Sequence, residues 1–360
     1  MRIMEIIKDS KKLKIIEDNK NQYAFLYFTV NNWIDSEKLV VLKNGKRTDT
    51  EEAFYGASDL VLIDIKNETE TLLVNHFQFG GIVWYLLHKN LLFFITDKNV
   101  LWVKNLDTDD VDQIYRSLDN QRITGISITN DGRYLGFFSY PKDPLDSSKF
   151  YRLDLSNRNL EVLFEKRFEQ PFNIANHFMI CPTDKDKVFF SHEGNTFYVS
   201  NRMWLWENGK GMRNITRQRL DDDSNLGDCF GHECWEQNGK GLYFVKYSCS
   251  PIPPRGICYV DTKGNQTDVL YGKYPYWHVS TSPDGRFLGS DTQSHSYSGV
   301  VLIDTAKNEE HLLFRADTTW SHPCHPHPMF SPDSKKLCFN TLYQDKITVA
   351  IFDISAYNEQ

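Results

Sequence analysis

One pattern recurs seven times along the 360 residues of this chain. An apolar run ends in an acidic or amide residue, a polar turn follows, and another apolar run begins. The runs end at Asp64 (LVLID), Asn105 (LWVKN), Asp154 (FYRLD), Glu207 (MWLWE), Asp261 (ICYVD), Asp304 (VLID) and Asp353 (AIFD), with successive ends 41, 49, 53, 54, 43 and 49 residues apart. A period of this size holding only strand signals predicts a β-propeller, one four-stranded blade per repeat. Length alone would allow two domains. The repeats account for the whole chain, so the expectation is all-β, a single-domain seven-bladed β-propeller over residues 1–360. Its blades fall near 20–75, 76–116, 117–165, 170–217, 228–271, 274–315 and 320–356.

A second marker sits within the later blades, upstream of the first: TNDGRYLGFF from Thr129, CPTDKDKVFF from Cys181, EQNGKGLYFV from Glu236, SPDGRFLGS from Ser282 and SPDSKKLCF from Ser331. Asp-Gly and Asn-Gly supply the positive-φ positions of tight hairpin turns. The last repeat ends seven residues before the C-terminus. An early strand, Leu13 to Ile16 or Tyr23 to Phe28, is therefore expected to pair with the last blade, because closure removes exposed edges.

Composition narrows the function. A net charge of −7 argues against a dedicated nucleic-acid or anionic-membrane binder. The longest apolar runs, Ile82–Leu87 and Leu91–Ile95, are interrupted by His88, Lys89 and Asn90 and fall short of the ~20 residues a spanning helix needs. The first 18 residues carry no apolar core of a secretory signal. Seven cysteines without CxxC pairs read as reduced thiols. A cytoplasmic protein with no nucleic-acid or membrane partner is expected.

Chemistry emerges when the repeats are superposed. His232, His278 and His327 each lie six residues before a turn residue, Asn238, Asp284 and Asp333. This is where the innermost strand of a blade begins, and symmetry-related positions near an axis converge. His325, two residues before His327, shares its side of a strand, and His322 lies three residues further back in Ser321-His-Pro-Cys-His-Pro-His-Pro328. Such a grouping reads as a metal site of His278, His325 and His327 with His322 as a further donor; imidazole suits Mn, Fe, Ni, Cu or Zn. The competing reading, histidines capping turns or filling core gaps, accounts for one such residue better than for four.

A second cluster spans SHEGN, NRMWLW and GHECW. His192, Glu193, Arg202, His232 and Glu233 are candidates for catalysis or substrate contact, and Trp235 joins them as a substrate-binding candidate. The alternative is that Trp204, Trp206 and Trp235 pack the blades while the charges decorate a rim. Arg213, Arg217 and Arg219 followed by Asp221–Asp223 read as a solvated loop.

The combination SHEG, NRMWL, GHECW, NGK, WHVSTSPDG and HPHPMFSPD, from about Asn176 to Asp333, resembles the oligogalacturonate lyases, cytoplasmic seven-bladed propeller enzymes of bacterial pectin breakdown. The resemblance extends more weakly toward the N-terminus through YFTVNNW. It implies a divalent metal, most often Mn²⁺, on three His and a Gln. The histidines would be His278, His325 and His327, while the Gln position is His322 here, a departure that bears on metal preference. The family's proposed catalytic arginine matches Arg202, and its GHE histidine matches His232.

The implied reaction is β-elimination on short oligogalacturonides. A base removes the C5 proton, the C4–O bond breaks without water, and a 4,5-unsaturated uronate results. Arginine, with a pKa above ~12, is a poor base and a good carboxylate clamp. Histidine, near ~6.5, suits proton abstraction. The resemblance favours Arg202 and titration chemistry favours His232; both stand as catalytic candidates. Two alternatives remain: a lyase on another uronate, and a non-catalytic propeller scaffold. A prolyl-oligopeptidase-type hydrolase is set aside, since the chain has no GxSxG elbow.

Overall fold

The computed structural model describes residues 1–45, 58–77, 84–118, 121–141, 143, 145–293, 298–317 and 325–358. The chain divides into two compact units, one drawn from residues 1–80, 89–91 and 277–360, the other from 81–88 and 92–276. The described residues form seven β-sheets of sequential antiparallel strands, three in the first unit and four in the second. This is the seven-bladed β-propeller fold, as the repeat predicts. The only helix among them is the four-residue Ser355–Asn358, and none is long and apolar enough to cross a membrane.

The second unit holds the blade Tyr85–His88, Leu91–Thr96, Val100–Asn105 and Val111–Arg116, followed by Ile123–Ile128, Tyr134–Ser139, Ser148–Asp154 and Asn159–Lys166. Next come Ile174–Cys181, Asp184–Glu193, Met203–Glu207 and Gly211–Asn214, and then Phe230–Trp235, Gly241–Lys246 and Gly256–Asp261. This last blade has only isolated bridges, Ile257 to Tyr271 and Val260 to Gln266, where a fourth strand would run. In the first unit, Tyr276–Thr281, Phe287–Thr292, Ser298–Asp304 and Glu309–Ala316 form one sheet, and Gln22–Ala24, Lys38–Asn44, Ser58–Asp64 and Thr69–Phe77 another, with Trp33–Asp35 paired to Lys38–Asn44.

The third sheet of that unit joins the two ends of the chain. Met329–Phe330, Lys336–Tyr343 and Lys346–Asp353 continue into Lys11–Glu17 and then Arg2–Lys8. Lys14 pairs with Ile351 and Ile15 with Ala350. Of the two early strands considered for this role, the one containing Leu13–Ile16 takes it. Tyr23 begins its own sheet instead, paired with Lys43.

The repeated acid has a local cause. In six of the seven repeats its side chain accepts the backbone N–H two or three residues on, closing an Asx turn. The bonds run from Asn67 to Asp64 (2.9 Å), Asp107 to Asn105 (2.9 Å), Ser156 to Asp154 (2.9 Å), Lys263 to Asp261 (2.8 Å), Ala306 to Asp304 (3.1 Å) and Ser355 to Asp353 (2.8 Å). The SPDG-type marker is a second such device. Ser282 and Ser331 donate their hydroxyls to Asp284 and Asp333 at 2.6 Å, and Thr129 does the same to Asp131 at 2.5 Å. Aromatic side chains fill the space between sheets: in the second unit Phe150 stacks on Phe164 at 4.4 Å within a cluster that includes Phe138, Phe178, Phe190 and Trp206.

Candidate functional site

The histidine register acquires a backbone meaning. The first strands of three successive blades break their pairing between Thr124 and Ser127, Asn176 and Met179, and Gly231 and Cys234. At each break one residue takes positive φ: Gly125 (70°), His177 (49°) and His232 (53°), and His327 takes the same conformation (46°) beside Met329–Phe330. A bulge re-aims a side chain, and positive φ is uncommon for a residue with a Cβ. His278, by contrast, lies within the strand Tyr276–Thr281 without positive φ.

In the first unit, His278, His325 and His327 gather, with ring centroids 4.3 Å (His278–His327), 5.5 Å (His278–His325) and 5.4 Å (His325–His327) apart. All three are buried. Nδ1 of His278 lies 2.9 Å from both oxygens of Asp291, and the carboxylate also accepts the backbone N–H of His278 (2.9 Å) and of His327 (3.1 Å). Asp291 thus ties two strands together and orients the His278 ring, leaving Nε2 on its far edge. Burial pushes the Asp291 carboxyl up to about 7, against the two N–H donors. Tyr27 and Phe28 pack their rings on the cluster, Tyr27 at 5.3 Å from His327 and Phe28 at 5.1 Å from His278. Asn340 anchors this segment: it donates to the carbonyls of Phe25 (3.0 Å) and His325 (3.1 Å) and accepts the Phe25 N–H (3.1 Å).

The donor set fits a divalent transition metal in kind: three buried imidazoles side by side, one of them oriented by a carboxylate in the usual outer-shell manner. The rings stand at 58–70° to one another, and no group of three His, Cys, Asp or Glu among the described residues is already arranged around an ion position. His322, the fourth expected donor, lies outside the described residues.

In the second unit, Arg202 is buried between two carboxylates. Its Nε donates to Glu233 Oε1 at 2.6 Å and its Nη2 lies 3.0 Å from Glu193 Oε1. The backbone N–H of Arg202 donates to Gln218 (2.8 Å), which in turn donates to the carbonyls of Val199 and Asp228. Burial would lower the guanidinium's pKa; the two glutamates override it and hold it well above its usual range. Burial would raise Glu193, and Arg202 and His177 instead hold it down at about 2. His177 Nε2 lies 3.5 Å from Glu193 Oε1 and its Nδ1 3.9 Å from Glu233 Oε2. His232 meets Tyr247 edge to face at 5.2 Å. The phenol of Tyr247, raised well above its ordinary range by burial, packs over Gly231, where a Cβ would come within 1.8 Å of its oxygen.

The other sequence candidates sit in more occupied surroundings. His192 stacks on Phe168 at 3.8 Å, with Nδ1 2.8 Å from Asn201 Oδ1 and Nε2 2.5 Å from the Phe172 carbonyl. Trp235 is 5% exposed, lies in an interblade core with Phe230 and Phe244, and donates Nε1 to the Met179 carbonyl. Of the charged loop, Arg213 pairs with Glu207 and Arg219 with Asp228 at 3.0 Å. Lys246 is buried against the same Asp228 at 2.6 Å.

Sequence reasoning missed His177 and Asp291. His177 had a signal: it lies six residues before Thr183 in CPTDKDK, the register of the other three histidines. Asp291 had none, because its role depends on contact with strands 13 and 36 residues distant.

No protein-family model matches the chain. It is 25% identical over 331 residues to an oligogalacturonide lyase of Pectobacterium atrosepticum, and 24% identical to an oligogalacturonate lyase of Dickeya dadantii; each match covers 80% of this chain and 81% of the relative. A solved structure of an oligogalacturonate lyase in complex with manganese superposes with a TM-score of 0.82 at 20% identity, covering 98% of this chain and 96% of that one. The oligogalacturonate lyase of Vibrio parahaemolyticus gives 0.81 at 17% identity, over 98% and 97%. The chain resembles the oligogalacturonate lyases both in sequence and in fold.

Proposed function

We propose that this protein is a lyase that cleaves short oligogalacturonides by metal-dependent β-elimination, leaving a 4,5-unsaturated uronate. The observation that carries this reading is the buried trio His278, His325 and His327 with Asp291 behind it, in a chain similar over four fifths of its length to lyases named for this substrate. His278, His325 and His327 would hold the ion, with His322 at the fourth position. A divalent cation bound there, assigned as Mn²⁺, would supply positive charge for a uronate carboxylate as negative charge builds on it.

The roles of the other residues follow from their surroundings. Arg202 is assigned as a carboxylate clamp and not as the base. A guanidinium gripped by Glu193 and Glu233 and held above its usual range gives up no proton at neutral pH. His232 is assigned as the base that takes the C5 proton, since a positioned imidazole is suited to that transfer. Both substrate-binding carboxylates of the sequence reading, Glu193 and Glu233, act through Arg202 by aiming it. His192 and Trp235, engaged as they are, support the surrounding strands. Lys246 is committed to Asp228 and is assigned no part in the reaction.

The test is ultraviolet absorbance during incubation with di- and trigalacturonate, with Mn²⁺ and with EDTA. A metal-dependent rise reports the conjugated product. A flat trace with both substrates overturns the oligogalacturonide reading; the same assay with glucuronate- and iduronate-containing oligosaccharides then tests the neighbouring uronates.

A further inference from the structure

We infer that His177 is a positioning residue for Arg202, acting through the two glutamates that grip it; the inference rests on the lyase reading above. Three observations converge. First, His177 occupies the same register as His232, His278 and His327, six residues before the blade's turn, and shares the positive-φ bulge of His232. Keeping an imidazole there costs more than keeping glycine, which holds the equivalent place at Gly125 in the preceding blade. Second, its two ring nitrogens face the two carboxylates, Nε2 toward Glu193 and Nδ1 toward Glu233. Third, the Glu233 side chain is fully buried, and its Oε2, the oxygen that Arg202 does not take, makes no hydrogen bond. His177 Nδ1 is the ring nitrogen that faces it, 3.9 Å away.

Arg202, Glu193, His177 and Glu233 are therefore arranged in a cycle of carboxylates alternating with a guanidinium and an imidazole, open at the 3.9 Å separation between Nδ1 and Oε2. A buried carboxylate oxygen without a partner is costly, so small shifts that bring Nδ1 and Oε2 together stabilise the cycle. Closing it fixes both glutamates, and with them the direction in which the guanidinium presents its remaining N–H groups. A planar fork of this kind recognises a carboxylate only when correctly aimed. His177 touches neither the substrate nor the reacting atoms in this scheme.

The test uses His177→Gly and His177→Asn in the full-length protein. Both residues tolerate positive φ, so the bulge survives in each. Glycine removes the bridge, while asparagine returns a donor close to the position of Nδ1. The glycine variant is expected to raise KM for the uronate substrate about tenfold with kcat changed less than about threefold, the signature of weakened binding rather than lost chemistry. The asparagine variant is expected to recover most of that loss. A glycine variant with wild-type KM and normal thermal stability overturns the inference. So does an asparagine variant that folds normally and recovers nothing, or a loss confined to kcat. If the glycine variant fails to fold, the asparagine variant alone decides, by wild-type-like KM or by a KM as high as that of Arg202→Lys. Wild-type protein inactive on every uronate tested would sink the lyase reading instead, a separate outcome read in the same assay.

Discussion

The Nε of Arg202 donates to Oε1 of Glu233 across 2.6 Å, and the Glu233 side chain is entirely shielded from solvent. Removing one partner of a buried pair leaves the other uncompensated, typically at about 3–5 kcal/mol. Here Glu193 still holds Arg202, so the loss for Glu233→Leu should fall nearer ~2 kcal/mol, reckoned as one charge-assisted hydrogen bond. Urea unfolding at neutral pH measures it through a lower midpoint at unchanged slope. An unchanged midpoint would mean that the pair contributes nothing to stability.

The same arrangement makes stability depend on pH with a definite sign. Glu193 has its carboxyl held at about 2 in the folded protein against an ordinary 4.5. The folded state thus favours the ionised form. Its contribution is fully present above the unfolded value near 4.5 and is lost as the pH falls toward 2. Glu193→Gln should therefore be less stable than wild type at pH 7, with the gap narrowing steadily below pH 4.5. Unfolding free energies of both proteins at pH 7, 5 and 3 check this; a gap that is constant across the three values rules it out.

What could be read from the chain beforehand follows the range of the forces involved. The seven-blade periodicity was legible because its markers act locally: Asp154 closes its turn on Ser156, and Ser282 on Asp284, within two residues in each case. The histidine register was legible for the same reason, since it is counted from those turns. His177 escapes a register counted from Asp or Asn, because its blade carries Thr183 at that position. Asp291 was invisible: nothing in GSDT says that its carboxylate will meet His278 and His327. Likewise GHECW names three polar or aromatic candidates without saying that Glu233 faces Arg202 while Trp235 enters a core.

Gly231 illustrates a constraint that only the packed structure reveals. A Cβ there would stand 1.8 Å from the Tyr247 oxygen and 2.7 Å from the ring carbon that bears it. Tyr247 is buried and meets His232 edge to face, so it cannot yield without disturbing that ring. Gly231→Ala should cost about 1–3 kcal/mol as an overpacked core does, and should reduce turnover more than Gly45→Ala, whose Cβ would meet only the Asn21 side chain at an ordinary 3.5 Å. Thermal melts and initial rates of the two variants make the comparison. Equal stability and equal rates would show that the Tyr247 ring moves aside freely.

Asp291 offers the most direct test of the proposed ion site, because its effect is read on the metal and not on the reaction. It faces Nδ1 of His278 with both oxygens and holds the His327 backbone. Partners of this kind orient a ligating ring and raise its basicity, and losing one typically weakens metal binding 10–100-fold. Asp291→Asn keeps the shape and one acceptor oxygen while removing the charge. Titration of the apo-protein with Mn²⁺, followed by the loss of the free-ion electron paramagnetic resonance signal, should give an affinity lower by about one to two orders of magnitude than wild type. His325→Ala in the same titration should bind more weakly still, since it deletes a donor outright. If Asp291→Asn binds Mn²⁺ as tightly as wild type while His325→Ala does not, the carboxylate serves only the strand pairing. If neither variant differs from wild type, the ion binds elsewhere, and the three-histidine assignment falls.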